Sequence, residues 1–409
     1  MTYDLIVIGG GPAGMMAASR AAERGARVLL LEKNKRLGIK LLTTGHGRCN
    51  LTNLIGFREM IKAFGDQGKF LFSAFSQFTP EDTITFFRNL GIETKIEENN
   101  RVFPVSDRAI DVLQALMKYL NSGKAEIIFE AEVSKIIIEK DKISNIEIAD
   151  GRKFFAENYL ISTGGKSYPT TGSTGDGYGW LKDVGHKIIK THPALTPVVV
   201  DNDTARELEG ISLKDVKFIF KKDDQIIDSR LGDAIFTANG LSGPAIFAAS
   251  GAVARALPGI QLIIDFFPGK SFDEIDVWLR DSFLKAKNKQ IKNVLIELLP
   301  ERLISKILVN AKIKLETEVN QITKIDRQII CHALKEFELK ISDVVGYHKA
   351  MVTTGGVDLS EIDPKTMRSK IIKNLLVAGE VLNLDGPTGG FNLQLCWSTG
   401  RLAGDNIIL

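Results

Sequence analysis

The stretch Asp4–Asn53, DLIVIGGGPAGMMAASRAAERGARVLLLEKNKRLGIKLLTTGHGRCNLTN, decides how the rest of the chain is read. Leu5-Ile6-Val7-Ile8 is an unbroken apolar run, the pattern of a strand buried on both faces of a parallel sheet. Gly9-Gly10-Gly11-Pro12-Ala13-Gly14 follows at once. Met15 to Glu23 is rich in alanine and other good helix formers, Gly25 stands where a helix ends, and Arg27 to Leu31 reads as a second strand. Together they make a βαβ unit of about 30 residues.

The spaced glycines have separate tasks: Gly9 permits the tight turn, Gly11 lets a pyrophosphate approach the backbone, and Gly14 lets helix and strand pack closely. The helix N-terminus adds unpaired N–H groups and the positive end of its dipole. Glu32 ends the second strand about 20 residues after the last glycine, where a carboxylate accepts hydrogen bonds from ribose hydroxyls. It would repel a 2′-phosphate, so this site favours FAD or NAD over NADP. A G-x-G-x-x-G alone is a weak signal. Strand, helix, second strand and acid together carry the reading against the bland alternative, a glycine-rich turn without a ligand.

The rest of the chain chooses between FAD and NAD. Thr44-Gly45-His46-Gly47-Arg48-Cys49-Asn50 is a cluster of small residues such as a chain needs where it passes an isoalloxazine. Ala109 to Leu120 reads as a helix, and Asp150-Gly151 marks a hairpin. Tyr159 to Gly165 reads as a strand ending in a glycine pair, and Asn374 to Glu380 as another with Gly379 and Glu380 at its tip. Phe391-Asn392-Leu393-Gln394 then opens a helix whose N-terminus suits negative charge on a reduced flavin. A second strand-linked G-x-G-x-x-G is missing, because Gly172–Gly177 has the wrong spacing. A dedicated NAD(P)H domain is therefore not expected.

Length and composition bound the function class. With 409 residues, two or three domains are expected. Formal net charge is +3, from 53 basic and 50 acidic residues, and no long basic run points to nucleic acid. Cys49, Cys331 and Cys396 are too scattered for a zinc site or a dithiol, so no metal is expected, and so few cysteines suit a reducing cytoplasm. No signal peptide and no membrane span is read.

The chain resembles the bacterial FAD-binding flavoproteins that include aminoacetone oxidase and the BaiN-like proteins. The residues that carry the resemblance are Gly9–Gly14, Lys40 with Gly45–Asn53, Arg101–Pro104, Thr163–Pro169, Gly172–Tyr178, Gly240–Pro244, Thr354–Val357, and Thr366 through Gly379-Glu380 to Gly389–Leu393. They run in order along nearly the whole chain. The resemblance implies an α/β fold: a glutathione-reductase-type FAD-binding Rossmann domain with an inserted β-rich and helical domain. The expected division is 1–196 with 347–409 for FAD, and 197–346 for the substrate side, β over 197–268 and helical over 269–346. The expected contacts to non-covalent FAD are Gly9, Gly11, Pro12, Ala13, Gly14, Glu32, Lys33 and Val133. Lys40, Gly45, Arg48, Cys49, Thr163, Gly164, Gly165, Gly379, Glu380, Asn392 and Leu393 complete the set.

Two positions depart from the family pattern. His46 stands where members carry Gly or Asn, and Ala238 stands where many carry the histidine of a Phe-Thr-His motif. Catalytic residues stay open, with His46, Arg48 and Tyr168 as candidates and a packing, pyrophosphate or turn role as the plain alternative for each. Cys49 reads as structural or FAD-contacting rather than redox-active. His332, His348 and the lysines from Lys285 to Lys292 read as structural or solvated. The expected activity is hydride transfer between flavin and a small organic substrate, with molecular oxygen or a transiently docked NAD(P)H as partner. The alternative is an FAD protein of RNA modification or redox sensing.

Overall fold

In the computed structural model, which describes residues 2–200 and 203–408, the opening apolar run is strand β1 (Thr2–Ile8). Helix α1 (Pro12–Glu23) and strand β2 (Val28–Leu31) complete the βαβ unit. β1 pairs in parallel with β2, Leu5 opposite Val28 and Ile8 opposite Leu31. On its other edge it pairs in parallel with β3 (Lys153–Ile161), which in turn pairs in parallel with β4 (Leu375–Val377). Glu126–Ile128 flanks β2, and the hairpin Val133–Glu139 with Lys142–Ile148 joins the other side in antiparallel pairing. The last helix, α2 (Phe391–Asp405), packs on α1. All four residues of β2 are buried, which is what a strand covered on both faces requires. The tips of β1, β3 and β4 therefore meet at one end of a seven-stranded sheet, the end where α1 begins.

The described residues divide into two compact units, one running to His192 and resuming at Met351, the other spanning Pro193–Ala350. The second unit is built on a closed six-stranded barrel. Its strands are Val198–Val200, Ser212–Lys222, Gln225–Thr237, Gly240–Ser242, Ile260–Asp265 and Phe337–Val344. Asp223 and Asp224 both have positive φ at the turn of its long hairpin, as a tight right-twisting connection needs. Six helices, Thr204–Glu207, Pro244–Ala256, Phe272–Lys285, Ile291–Leu295, Glu301–Asn310 and Lys324–Lys335, accompany it. One correction follows for the stretch read as helical over 269–346. Phe337–Val344 is the strand that closes the barrel, between Ile260–Asp265 and Val198–Val200. Its alternation of buried Phe337, Leu339 and Ile341 with polar Glu338, Lys340 and Ser342 is a period-two signal.

Candidate FAD and active site

The loop between β1 and α1 shows why each glycine is where it is. Gly9 has φ +103, and a Cβ there would lie 2.8 Å from the Ser162 carbonyl oxygen. A Cβ on Gly14 would stand 2.0 Å from the Gly9 carbonyl oxygen. Both positions are closed by backbone. Gly11 is the exception, with nothing within 4 Å of an added Cβ. That open face lies at the start of α1, whose first-turn N–H groups have no intrahelical partners and whose dipole is positive there. The residues thus fit the pyrophosphate of a dinucleotide, because the space and the donors coincide.

Glu32 is buried, 7% exposed, and braces this loop. Its Oε2 accepts the Gly10 N–H at 2.8 Å, and its Oε1 accepts the Asn34 N–H and Nδ2 at 2.8 and 2.7 Å. A carboxylate has about four acceptor sites, so one remains for a ribose hydroxyl. Lys33 turns to Asp176 and Thr174, at 2.6 and 2.5 Å. Val133 is buried at the start of its strand.

A second group gathers at the tips of β3 and β4. Gly38 donates its N–H to the Gly10 carbonyl at 3.0 Å, which brings the next loop against the glycine turn. Lys40 Nζ then reaches Glu380 Oε2 at 2.7 Å and Ser167 Oγ at 2.5 Å. Gly379 has φ +80 and packs so close that its Cβ would meet that of Ala13 at 2.8 Å. A Cβ on Gly165 would strike Thr353 Oγ1 at 2.4 Å, while Gly164 holds a left-handed φ of +73. The Thr163 hydroxyl is buried and has no hydrogen-bond partner among the described residues. At the start of α2, Asn392 shapes the preceding turn through the Gly386 N–H, the Gly386 carbonyl and the Pro387 carbonyl, and Leu393 is buried. Gly390, with φ +102, is the residue before that helix, and an added Cβ would hit the Thr52 carbonyl oxygen at 2.3 Å.

Residues 3–406 match the family described as HI0933-like protein Rossmann domain. The chain belongs to that family. HI0933-like proteins are FAD-binding Rossmann flavoproteins, and this one shares its oxidoreductase class with curated relatives. It is 30% identical over 406 residues to the 3-dehydro-bile acid delta(4,6)-reductase of Clostridium scindens, covering 97% of both chains. It is 28% identical over 406 residues to the ribosomal RNA dihydrouridine synthase of Escherichia coli, covering 99% of this chain and 98% of that one. Among solved structures, an open-form flavocytochrome c3 fumarate reductase matches with TM-score 0.54 and 17% identity, over 99% of this chain and 78% of its own. The 3-ketosteroid-delta4-(5alpha)-dehydrogenase of Rhodococcus jostii matches with TM-score 0.52 and 14% identity, over 99% and 96%. These two show the fold alone: an FAD-binding Rossmann domain with an inserted β-barrel domain.

Within this HI0933-like chain the motif around Gly45 divides. Gly45 itself is left-handed, φ +57, with Asn50 N 3.0 Å from an added Cβ. The anion-holding role read for Arg48 does not fit. Its guanidinium is bonded to Glu97 and Asp107 and lies 4.1 Å from the Phe103 ring centroid. The Arg48 hydrogen bond holds the Glu97 carboxyl below its usual range, and Lys95 followed by Arg48 does the same for Asp107. A redox role for Cys49 does not fit either. It is fully buried, and burial pushes its thiol up to about 12. Its sulfur offers no face to a ligand, so the FAD contact read for it reduces to holding the loop, its N–H bonded to the Thr44 carbonyl at 3.0 Å. His46 is exposed at φ +58, and Tyr168 is half-buried at φ +52 before a short turn. Ser167, Thr353 and Asn34 were not singled out by the sequence. They are plain polar residues whose role appears only when distant segments meet.

Proposed function

We propose that this protein is an FAD-dependent reductase that saturates a carbon–carbon double bond conjugated to a carbonyl in a small organic substrate, with NAD(P)H as electron donor. The observation that carries the reading is a shared bond change. A delta(4,6)-reductase and a dihydrouridine synthase act on unrelated molecules, yet both names denote interconversion of an unsaturated and a saturated ring, and both relatives match nearly the whole chain. When bound, FAD supplies reversible uptake and release of a hydride. The chain's own residues bind and orient it without a covalent bond. The open face of Gly11 and the start of α1 receive the pyrophosphate, Glu32 takes a ribose hydroxyl, and the start of α2 faces negative charge. A conjugated carbonyl needs a proton as well, and we assign that role to Tyr168 or His46, the candidates that remain once Arg48 is paired and Cys49 is sealed.

Anaerobic titration tests this. NADH or NADPH should bleach the flavin, and a 4-en-3-one should restore its colour with formation of the saturated ketone. Bleaching by aminoacetone with recovery only in oxygen would make the protein an amine oxidase instead. A second reading, uridine in ribosomal RNA as substrate, is favoured by the dihydrouridine synthases of Escherichia coli and Haemophilus influenzae, both 28% identical. Dihydrouridine appearing by mass spectrometry in rRNA treated with enzyme and NADPH, with the enone inert, would select it.

A further inference from the structure

The ion pair between Lys40 and Glu380 is mostly buried, with 20% of the lysine side chain and 14% of the glutamate side chain exposed. Such a pair adds little net stability, because both charges give up water to form it. Glu380 has three of its roughly four acceptor positions filled by the chain: Oε2 accepts from Lys40, and Oε1 accepts the Thr353 N–H and the Ser167 hydroxyl, each at 3.0 Å. Lys40 also has a position to spare. An ammonium has three donors; Glu380 and Ser167 take two, and among the described residues nothing takes the third. Both residues issue from segments that touch the β1–α1 loop or the first turn of α1, through Gly38 to Gly10 and through Gly379 against Ala13. The spare N–H therefore sits at the carboxyl ends of parallel strands, the ligand side of such a sheet.

We propose that Lys40 is a positioning residue whose charge offsets the negative charge that FAD gains on reduction, with Glu380 and Ser167 fixing the ammonium in place; this rests on the FAD-dependent reading above. A hydride leaving a reduced nicotinamide carries two electrons and one proton. The nicotinamide is oxidised, and the isoalloxazine that takes up the hydride gains one negative charge. A fixed cation nearby favours that form, and a fixed anion opposes it. Lys40 and Glu380 must then act with opposite signs.

The test is the reduction potential of the FAD-loaded protein, by dye-coupled titration with dithionite, together with its affinity for sulfite, which adds to the flavin and leaves it negatively charged. Lys40→Met should weaken sulfite binding about tenfold and lower the potential by about 30 mV, the value of tenfold in a two-electron couple. Glu380→Gln should move both quantities the other way, and the double variant should fall between the single ones. Should Lys40→Met fail to hold FAD, Glu380→Gln against Lys40→Arg decides, the first raising the potential and the second leaving it near wild type. Single variants that shift it in the same direction, or leave it unmoved with FAD bound, overturn the proposal. A wild-type protein whose heat-released cofactor is not FAD would instead overturn the reading beneath it.

Discussion

Two buried lysine–carboxylate pairs in this chain solve different problems. In the second unit, Lys335 Nζ donates to Asp265 Oδ2, the Phe267 carbonyl and the Lys270 carbonyl, at 2.8, 3.0 and 2.6 Å. All three of its donors are used, and the turn after a barrel strand is stapled. In the first unit, Lys40 uses two donors of three. Burial alone does not separate the two, since both pairs are largely hidden. What separates them is whether the polar atoms are used up. The barrel closes its hydrogen bonds within itself, and the strand tips of the Rossmann unit leave some open. The largest expected effect tests the open side. Gly11→Val places a side chain in the space left at the phosphates, while φ −80 and ψ −177 suit valine. FAD affinity should fall by more than about 1000-fold, roughly 4 kcal/mol, with the far-ultraviolet spectrum and unfolding midpoint unchanged. Full flavin occupancy in this variant would remove Gly11 from the phosphate site.

Lys335→Met tests the closed side. It leaves the Asp265 carboxylate and two carbonyls without their donor in a site about nine-tenths buried. Breaking such a pair costs about 3 kcal/mol, the low end of the measured range. Urea unfolding should show that loss, and the FAD dissociation constant of the folded protein should stay put. A stability change below about 1 kcal/mol would mean that the staple is no stronger than a surface pair.

The open and closed regions were unequally legible in the sequence. The βαβ unit, Glu32 and the strand ending at Gly379 follow from local pattern, because glycine positions and apolar runs report backbone needs directly. The barrel was only half visible. Its long hairpin turns at the polar pair Asp223-Asp224, whereas Phe337–Val344 follows a helical run so closely that it reads as the end of that run, although Phe337, Leu339 and Ile341 alternate. The polar contacts were the least legible. Arg48 reads as a free cation until Glu97 and Asp107 are brought to it by a separate hairpin. Ser167 lies inside the Thr163–Pro169 run and Thr353 just before Thr354–Val357, but only the meeting of distant segments around Glu380 shows what their polar groups do.

Glu32 lies between the two cases, with three acceptor positions filled by the chain and one left over. Glu32→Ala removes the carboxylate that we propose bonds the ribose, and also frees the Gly10 N–H that shapes the loop. FAD binding should weaken about ten- to a hundred-fold, from a bond worth roughly 1.5–3 kcal/mol. The visible spectrum of the remaining holoprotein should hardly change, since the ribose is far from the isoalloxazine. An unchanged dissociation constant, measured by fluorescence on reconstituted apoprotein, would show that the carboxylate serves the loop alone.

The smallest effect concerns a group in the first unit that is fully closed. His186 is 2% exposed. Its Nδ1 lies 3.0 Å from Glu361 Oε2 and its Nε2 lies 2.8 Å from Ser369 Oγ. Ser369 Oγ already accepts the N–H groups of Ile371 and Ile372, so its own hydrogen points at His186 Nε2, and Nδ1–H donates to Glu361. The three groups have the order of a serine–histidine–acid relay. The serine is buried and its lone pairs are occupied, so it locks a loop rather than attacking a substrate. Burial pushes the imidazole below its ordinary range, with Glu361 only partly opposing. The folded state thus prefers neutral His186. Its contribution is complete above the unfolded value near 6.5 and declines as pH falls below it, by at most about 1.4 kcal/mol per pH unit. The wild-type urea midpoint should drop between pH 7.5 and pH 5 more than that of His186→Gln, which cannot take up the proton. Parallel pH curves for the two proteins would show that the imidazole titrates alike folded and unfolded, and the lock would then be indifferent to acid.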